Sequence, residues 1–208
     1  MESADSEQAH TGFTLSRPFR SFAETTREAV LRPERFYRNL SQDDPPKNPV
    51  IFAVLCLTAS FFLTYLASPP DPSARGESTV PQYLLAVADE NLGLAAATVA
   101  FMLIVAALFA VLSISVGTAV QHLAVRAFVW PRQGFGTTLR INAYSCAILL
   151  LSWIPIVGYL AGLYGSYLVF VGIRELHSTA TTRALLAVLV LVIPWLIGLG
   201  LYISGSLA

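Results

Sequence analysis

The residues able to do chemistry in a membrane are acids, histidines and thiols, and in this sequence their placement is mostly negative. The stretches 48–70, 91–125, 141–173 and 184–208 contain no Asp, Glu, Lys or Arg at all. An intramembrane carboxylate would mark a proton or ion path, and these apolar runs offer none. No H-E-x-x-H, G-x-S-x-G or P-loop glycine pattern occurs. His122 follows Gln121 near the end of an apolar run without a second ligand one turn on, so it reads as a hydrogen-bonded structural histidine. His177 falls in a polar loop and reads as surface or partner-facing. Cys56 and Cys146 both sit inside apolar runs, which argues against a disulfide or a zinc site. The expectation is a protein that is not an enzyme and holds no cofactor or metal.

Two other patterns stand out. In the run Gly158–Gly172, Gly158 and Gly162 form a G-x-x-x-G, and Gly158, Gly165 and Gly172 recur every seven residues. Small residues on one stripe let helix backbones approach closely where lipid supplies no hydrophobic drive. The expected role is packing within the bundle, with docking of another membrane subunit as the other reading. The second pattern is basic: Arg126, Arg132, Arg140, Arg174 and Arg183, with His177 among them and only Glu175 in the same loops to oppose them. Such a set faces either anionic lipid or a partner.

The elements that must position these residues follow from composition. Of 208 residues, 55% are apolar and only 12% charged, with zero formal net charge. A soluble domain carries about twice that charge density. One lysine, Lys47, and no basic excess exclude a nucleic-acid binder. The chain reads as an all-α, polytopic membrane bundle. Residues 1–12 read as a mobile acidic tail with no signal-peptide pattern, so nothing is expected to be cleaved. Residues 13–48 hold two amphipathic helices, each with a proline in its first turn, Pro18 and Pro33. The second places Phe36, Tyr37 and Leu40 opposite Arg35 and Arg38. It lies either in the headgroup plane or against the protein's own cytoplasmic face.

Residues 49–208 form the membrane domain. Spans are expected at about 49–67, 92–123, 141–157, 159–173 and 184–203. The run 141–173 would make a helix of about 50 Å, against a hydrocarbon core of about 30 Å. Its centre, Trp153-Ile154-Pro155-Ile156-Val157-Gly158, contains helix breakers, so two short helices joined by a tight turn are expected. Five spans place twelve Lys and Arg on one side and only Arg75 on the other. The positive-inside rule then puts the N-terminus in the cytoplasm and the C-terminus outside, in the inner (plasma) membrane.

REAVLRPERFYRNL before the first span, the loop WPRQGFGTTLRINAYS, the Ile-Pro-Ile-Val-Gly turn and YLVFVGIRELHSTATTRALL follow one another along the chain. This order of features resembles the Yip-domain family, named for Ypt/Rab-interacting proteins, in its bacterial form. The resemblance implies five spans with a cytoplasmic N-terminus. The eukaryotic members' GTPase binding is not implied, because the N-terminal region here is short.

The function expected from all of this is a non-catalytic scaffold or accessory subunit. It would meet the lipid bilayer and a membrane-protein partner, or a second copy of itself, through its cytoplasmic face and glycine-rich fourth span. The alternative is a small transporter or lipid-moving protein, with Asn142, Ser145, Ser152, Ser113, Ser115 and Gln121 lining a path.

Overall fold

The computed structural model describes residues 12–41, 45–67, 80–130, 133–154 and 156–206. Among them the chain is helical throughout, with helices α1 (Pro18–Leu31), α2 (Pro33–Arg38), α3 (Lys47–Ala67), α4 (Val80–Glu90), α5 (Leu92–Phe128), α6 (Phe135–Ser145), α7 (Val157–Leu176) and α8 (Thr181–Ser206). A 3-10 helix, Cys146–Leu151, continues α6. Most of the expected tail, the 68–79 loop, Arg132 and Pro155 lie outside the described residues.

Local chemistry explains the ends. Pro18 and Pro33 open α1 and α2, where a missing N–H costs nothing. Asn91 caps α5 by accepting from the Leu94 N–H at 3.0 Å. At 37 residues, α5 is about 55 Å long, well beyond one hydrocarbon thickness. The turn expected near Pro155 is present: α6 and its 3-10 extension run one way and α7 returns alongside. Ile156, at φ 68°, makes the turn in a left-handed conformation that a β-branched residue rarely adopts. Helices α3, α5 and α7 are each long and apolar enough to cross a membrane, and Phe135–Leu151 and Thr181–Val190 are shorter apolar helical stretches.

Packing uses small residues at helical spacing. Ala184, Ala187 and Val188 on α8 are buried, as are Ala106, Ala110, Ile114 and Thr118 on α5. Close backbone approach gains dispersion contacts that lipid tails would not otherwise yield. Gly172 touches Ile141 and Tyr37, Gly165 faces Ile148, and a Cβ on Gly158 would run into the Ser152 carbonyl. Gly162 is half-buried on the same helix.

The position of the N-terminal helices is settled by an aromatic knot. Phe36 and Tyr37 of α2, together with Phe13, are fully or almost fully buried against Phe52 of α3 and Tyr144 of α6. Phe36 and Phe52 lie 5.2 and 5.3 Å from the Tyr144 ring. The Tyr37 hydroxyl reaches the Ile141 carbonyl at 3.2 Å and Ser145 Oγ at 2.9 Å. Helix α2 is therefore packed on the bundle. On α1, Ala29 is buried while Phe19 is 91% exposed.

Candidate functional site: a polar seam beside the basic loops

The apolar helices converge on a cluster of buried polar side chains. Thr118, Gln121 and His122 come from α5, Thr138 and Asn142 from α6, and His177 from the end of α7. Thr118, Gln121 and Thr138 are fully buried, and His177 is 5% exposed. Their register is that of two antiparallel helices. Asn142 Nδ2 donates to Thr118 Oγ1 at 3.3 Å. One turn along both helices, His122 Nδ1 lies 2.9 Å from Thr138 Oγ1. Thr138 Oγ1 is also 3.4 Å from His177 Nε2, so one hydroxyl bridges two imidazoles. Gln121 Nε2 donates to the Ala187 carbonyl at 3.0 Å, tying α8 to the seam.

The seam is only partly satisfied. Gln121 Oε1, Asn142 Oδ1 and His177 Nδ1 are buried and have no hydrogen-bond partner among the described residues. Each such atom costs about 1–3 kcal/mol, so a protein retaining three in one cluster gives up stability there. Beside the seam, His122, Arg126, Trp130 and Gln133 line an open cleft. Trp130 is 81% exposed and held at φ 54°.

Burial holds His177 well below the ordinary imidazole value, at about 4, and the nearby His122 pushes the same way. The unfolded chain takes up this proton near pH 6.5, whereas the folded chain resists it until about pH 4. The neutral His177 therefore contributes stability above pH 6.5, which is lost progressively as pH falls toward 4. His177→Gln is expected to flatten the fall in melting temperature between pH 7 and pH 5 relative to the wild type in the same detergent. Parallel pH profiles for the two proteins would show that His177 does not carry this dependence.

The residues singled out in the sequence divide sharply. Arg126 and Arg183 are exposed, Arg140 is half-buried on α6, and Arg132 is outside the described residues. His177 is a seam residue and not a surface one, because the Thr138 hydroxyl draws it inward. Arg174 is not left facing outward either. It pairs with Glu34 of α2 and with Glu175, each at 2.8 Å, and Arg38 reaches Glu175 at 3.4 Å. The acid opposing these arginines thus includes Glu34, 140 positions away in sequence. Of the polar residues considered for a transport path, Asn142 bonds to Thr118, Gln121 to Ala187, Ser145 to Tyr37 and Ser152 to Ser60 at 2.6 Å.

Long apolar helices, small-residue packing and a polar seam beside arginine-bearing helix ends define a multi-pass α-helical membrane protein. A family model described as the Yip1 domain matches residues 27–204, and the chain belongs to that family. No curated protein and no solved structure gives a significant match.

Proposed function

We propose that this protein is a non-catalytic accessory or scaffold subunit of the inner membrane, binding another membrane protein through its arginine-bearing face. In this reading five helices cross the bilayer, with α1 and α2 on the cytoplasmic side and the C-terminus outside. The twelve-to-one distribution of Lys and Arg in the sequence supports that orientation.

The observation that carries the binding role is Trp130. A large aromatic side chain, 81% exposed on a left-handed backbone beside Arg126, has the character of an interface anchor. Exposed Arg183 belongs to the same set of cytoplasmic arginines. The glycine stripe, by contrast, serves packing inside the chain, since Gly165 and Gly172 already have neighbours. A transport path is disfavoured because Asn142, Gln121, Ser145 and Ser152 are each tied to a protein partner, even though Gln121 and Asn142 each keep one unpaired oxygen.

The test substitutes Trp130→Ala with Arg126→Gln and Arg183→Gln, leaving the Arg174 pairs intact. Gln is chosen over Glu so that topology is not inverted. A co-purifying partner is expected to be lost, by at least about tenfold if the anchor is worth the usual 2 kcal/mol or more. Cysteines placed at Ser73 and Ser206 should still be labelled only from outside. Unchanged partner yield would refute the binding role, and labelling from the cytoplasm would refute the orientation.

A further inference from the structure

Two adjoining hollows on the face of α7 differ completely in character. One is apolar and lies between α7 and the 3-10 helix, lined by Ile148, Leu151, Leu160, Leu163, Tyr164 and Tyr167 among others. The other lies at the junction of α1 and α2 and is lined by Arg32, Glu34, Arg35, Arg38 and Asn39 among others. Tyr167 lines both, so the apolar groove and the cationic hollow meet at that side chain. Their mutual position is fixed by the Tyr164 hydroxyl, which donates to the Val30 carbonyl at 2.6 Å and locks the end of α1 onto α7.

The charge balance of the second hollow is uneven. Glu34 is neutralised by Arg174 at 2.8 Å, and Arg38 is held by Glu175 at 3.4 Å. Arg32 and Arg35 make no ion pair among the described residues. Two uncompensated guanidinium groups therefore sit at the end of a hydrocarbon-lined groove. A tyrosine marks the boundary, as aromatic residues do at a headgroup plane. Guanidinium groups suit a phosphate because their N–H forks match its oxygens.

We propose that this composite groove binds one anionic phospholipid of the leaflet on the α1–α2 side. Its phosphate lies at Arg32 and Arg35, its glycerol region is beside Tyr167, and an acyl chain lies along Leu160, Leu163 and Leu151. A lipid fits better than a partner helix, because α7 is itself long and apolar enough to cross a membrane. The groove then opens where lipid is the ambient solvent. The assignment is independent of the binding role proposed for the Trp130 face, which involves other residues.

The experiment uses the full chain purified in a neutral detergent. Retention of dioleoyl phosphatidylglycerol is compared with that of dioleoyl phosphatidylcholine by native mass spectrometry. The wild type should prefer the anionic lipid, whereas a short-chain phosphatidylglycerol or inorganic phosphate should bind far more weakly. The double variant Arg32→Gln/Arg35→Gln should lose about tenfold or more of the preference, since each basic contact to an anionic leaflet is worth roughly fivefold. Leu160→Trp, at an exposed apolar position, should weaken retention by filling the groove while leaving the arginines in place. Arg126→Gln/Arg183→Gln, which belong to the partner face and do not line the groove, should leave the lipid preference unaltered. Equal retention of the two lipids by the wild type would overturn the proposal, as would an unaffected arginine double variant. If the double variant does not fold, the wild-type preference and Leu160→Trp decide the matter. Loss of a protein partner on changing Arg32 and Arg35, with no lipid preference in the wild type, would assign the groove to a protein.

Discussion

Replacing Tyr144 with alanine should release the N-terminal helices from the bundle. Tyr144 is 1% exposed and stands at the centre of the aromatic knot, with Phe36 and Phe52 packed on its ring. Its hydroxyl also accepts the Phe13 N–H at 3.3 Å. Deleting a buried aromatic ring costs about 3–5 kcal/mol, because the transfer free energy is lost and a cavity is left. Here the loss is concentrated on the contact between residues 13–40 and the rest of the chain. Opening of that contact should therefore become about a hundredfold or more easier. Trypsin, which can cut after Arg20, Arg27, Arg35 and Arg38 but not at the Arg-Pro bonds after Arg17 and Arg32, reports it directly. Tyr144→Phe keeps the ring and loses only the hydroxyl, so its cleavage rate should stay close to that of the wild type. Equal cleavage of the alanine variant and the wild type would show that the knot does not hold the segment.

The second large effect is expected at Gly172. A Cβ there would lie 2.6 Å from Ile141 Cγ2 and 3.2 Å from the Tyr37 ring. Ile141 and Tyr37 are both fully buried, and Ile141 is stiff at χ1, so neither can swing aside. Alanine in a helix interior normally gains about 1 kcal/mol over glycine. The clash should exceed that gain and make even Gly172→Ala destabilising. Gly172→Leu should cost at least the 1–3 kcal/mol typical of overpacking, and it would also push α7 away from α6 and α2. Gly117, with open space around its Cβ position, provides the contrast. Gly117→Ala should be neutral or stabilising. Melting temperatures in detergent that rank Gly172→Ala at or above the wild type would exclude tight packing here.

The sequence displayed helix starts and breaks clearly, because prolines, charge gaps and glycines act locally. Pro18 and Pro33 open helices, and a break between Leu151 and Val157 divides the 141–173 run. What sequence reading left open was the destination of each amphipathic face. The pattern of Phe36 and Tyr37 is the same whether the apolar side meets lipid or protein, since both are apolar. The pairing of Arg174 with Glu34 was invisible for a different reason, as no local rule links positions 140 apart. The polar seam had a readable signal that sequence analysis passed over. Thr118 and His122 are spaced by one helical turn, and so are Thr138 and Asn142. Two such pairs on consecutive helices meet when the helices run antiparallel.

The long reach of the aromatic knot also governs the order in which the molecule is made. Phe13 waits for Tyr144, 131 positions later, and Val30 waits for Tyr164, 134 positions later. At about 5–20 residues per second, that interval is roughly 7–27 seconds of synthesis. For this time the first helices exist without the surface that will cover Phe36 and Tyr37. A free aromatic face of that kind invites aggregation or a chaperone. The contacts of Phe13 and Val30 cannot form until α6 and α7 exist, so the docking of the N-terminal segment comes after most of the chain has been made.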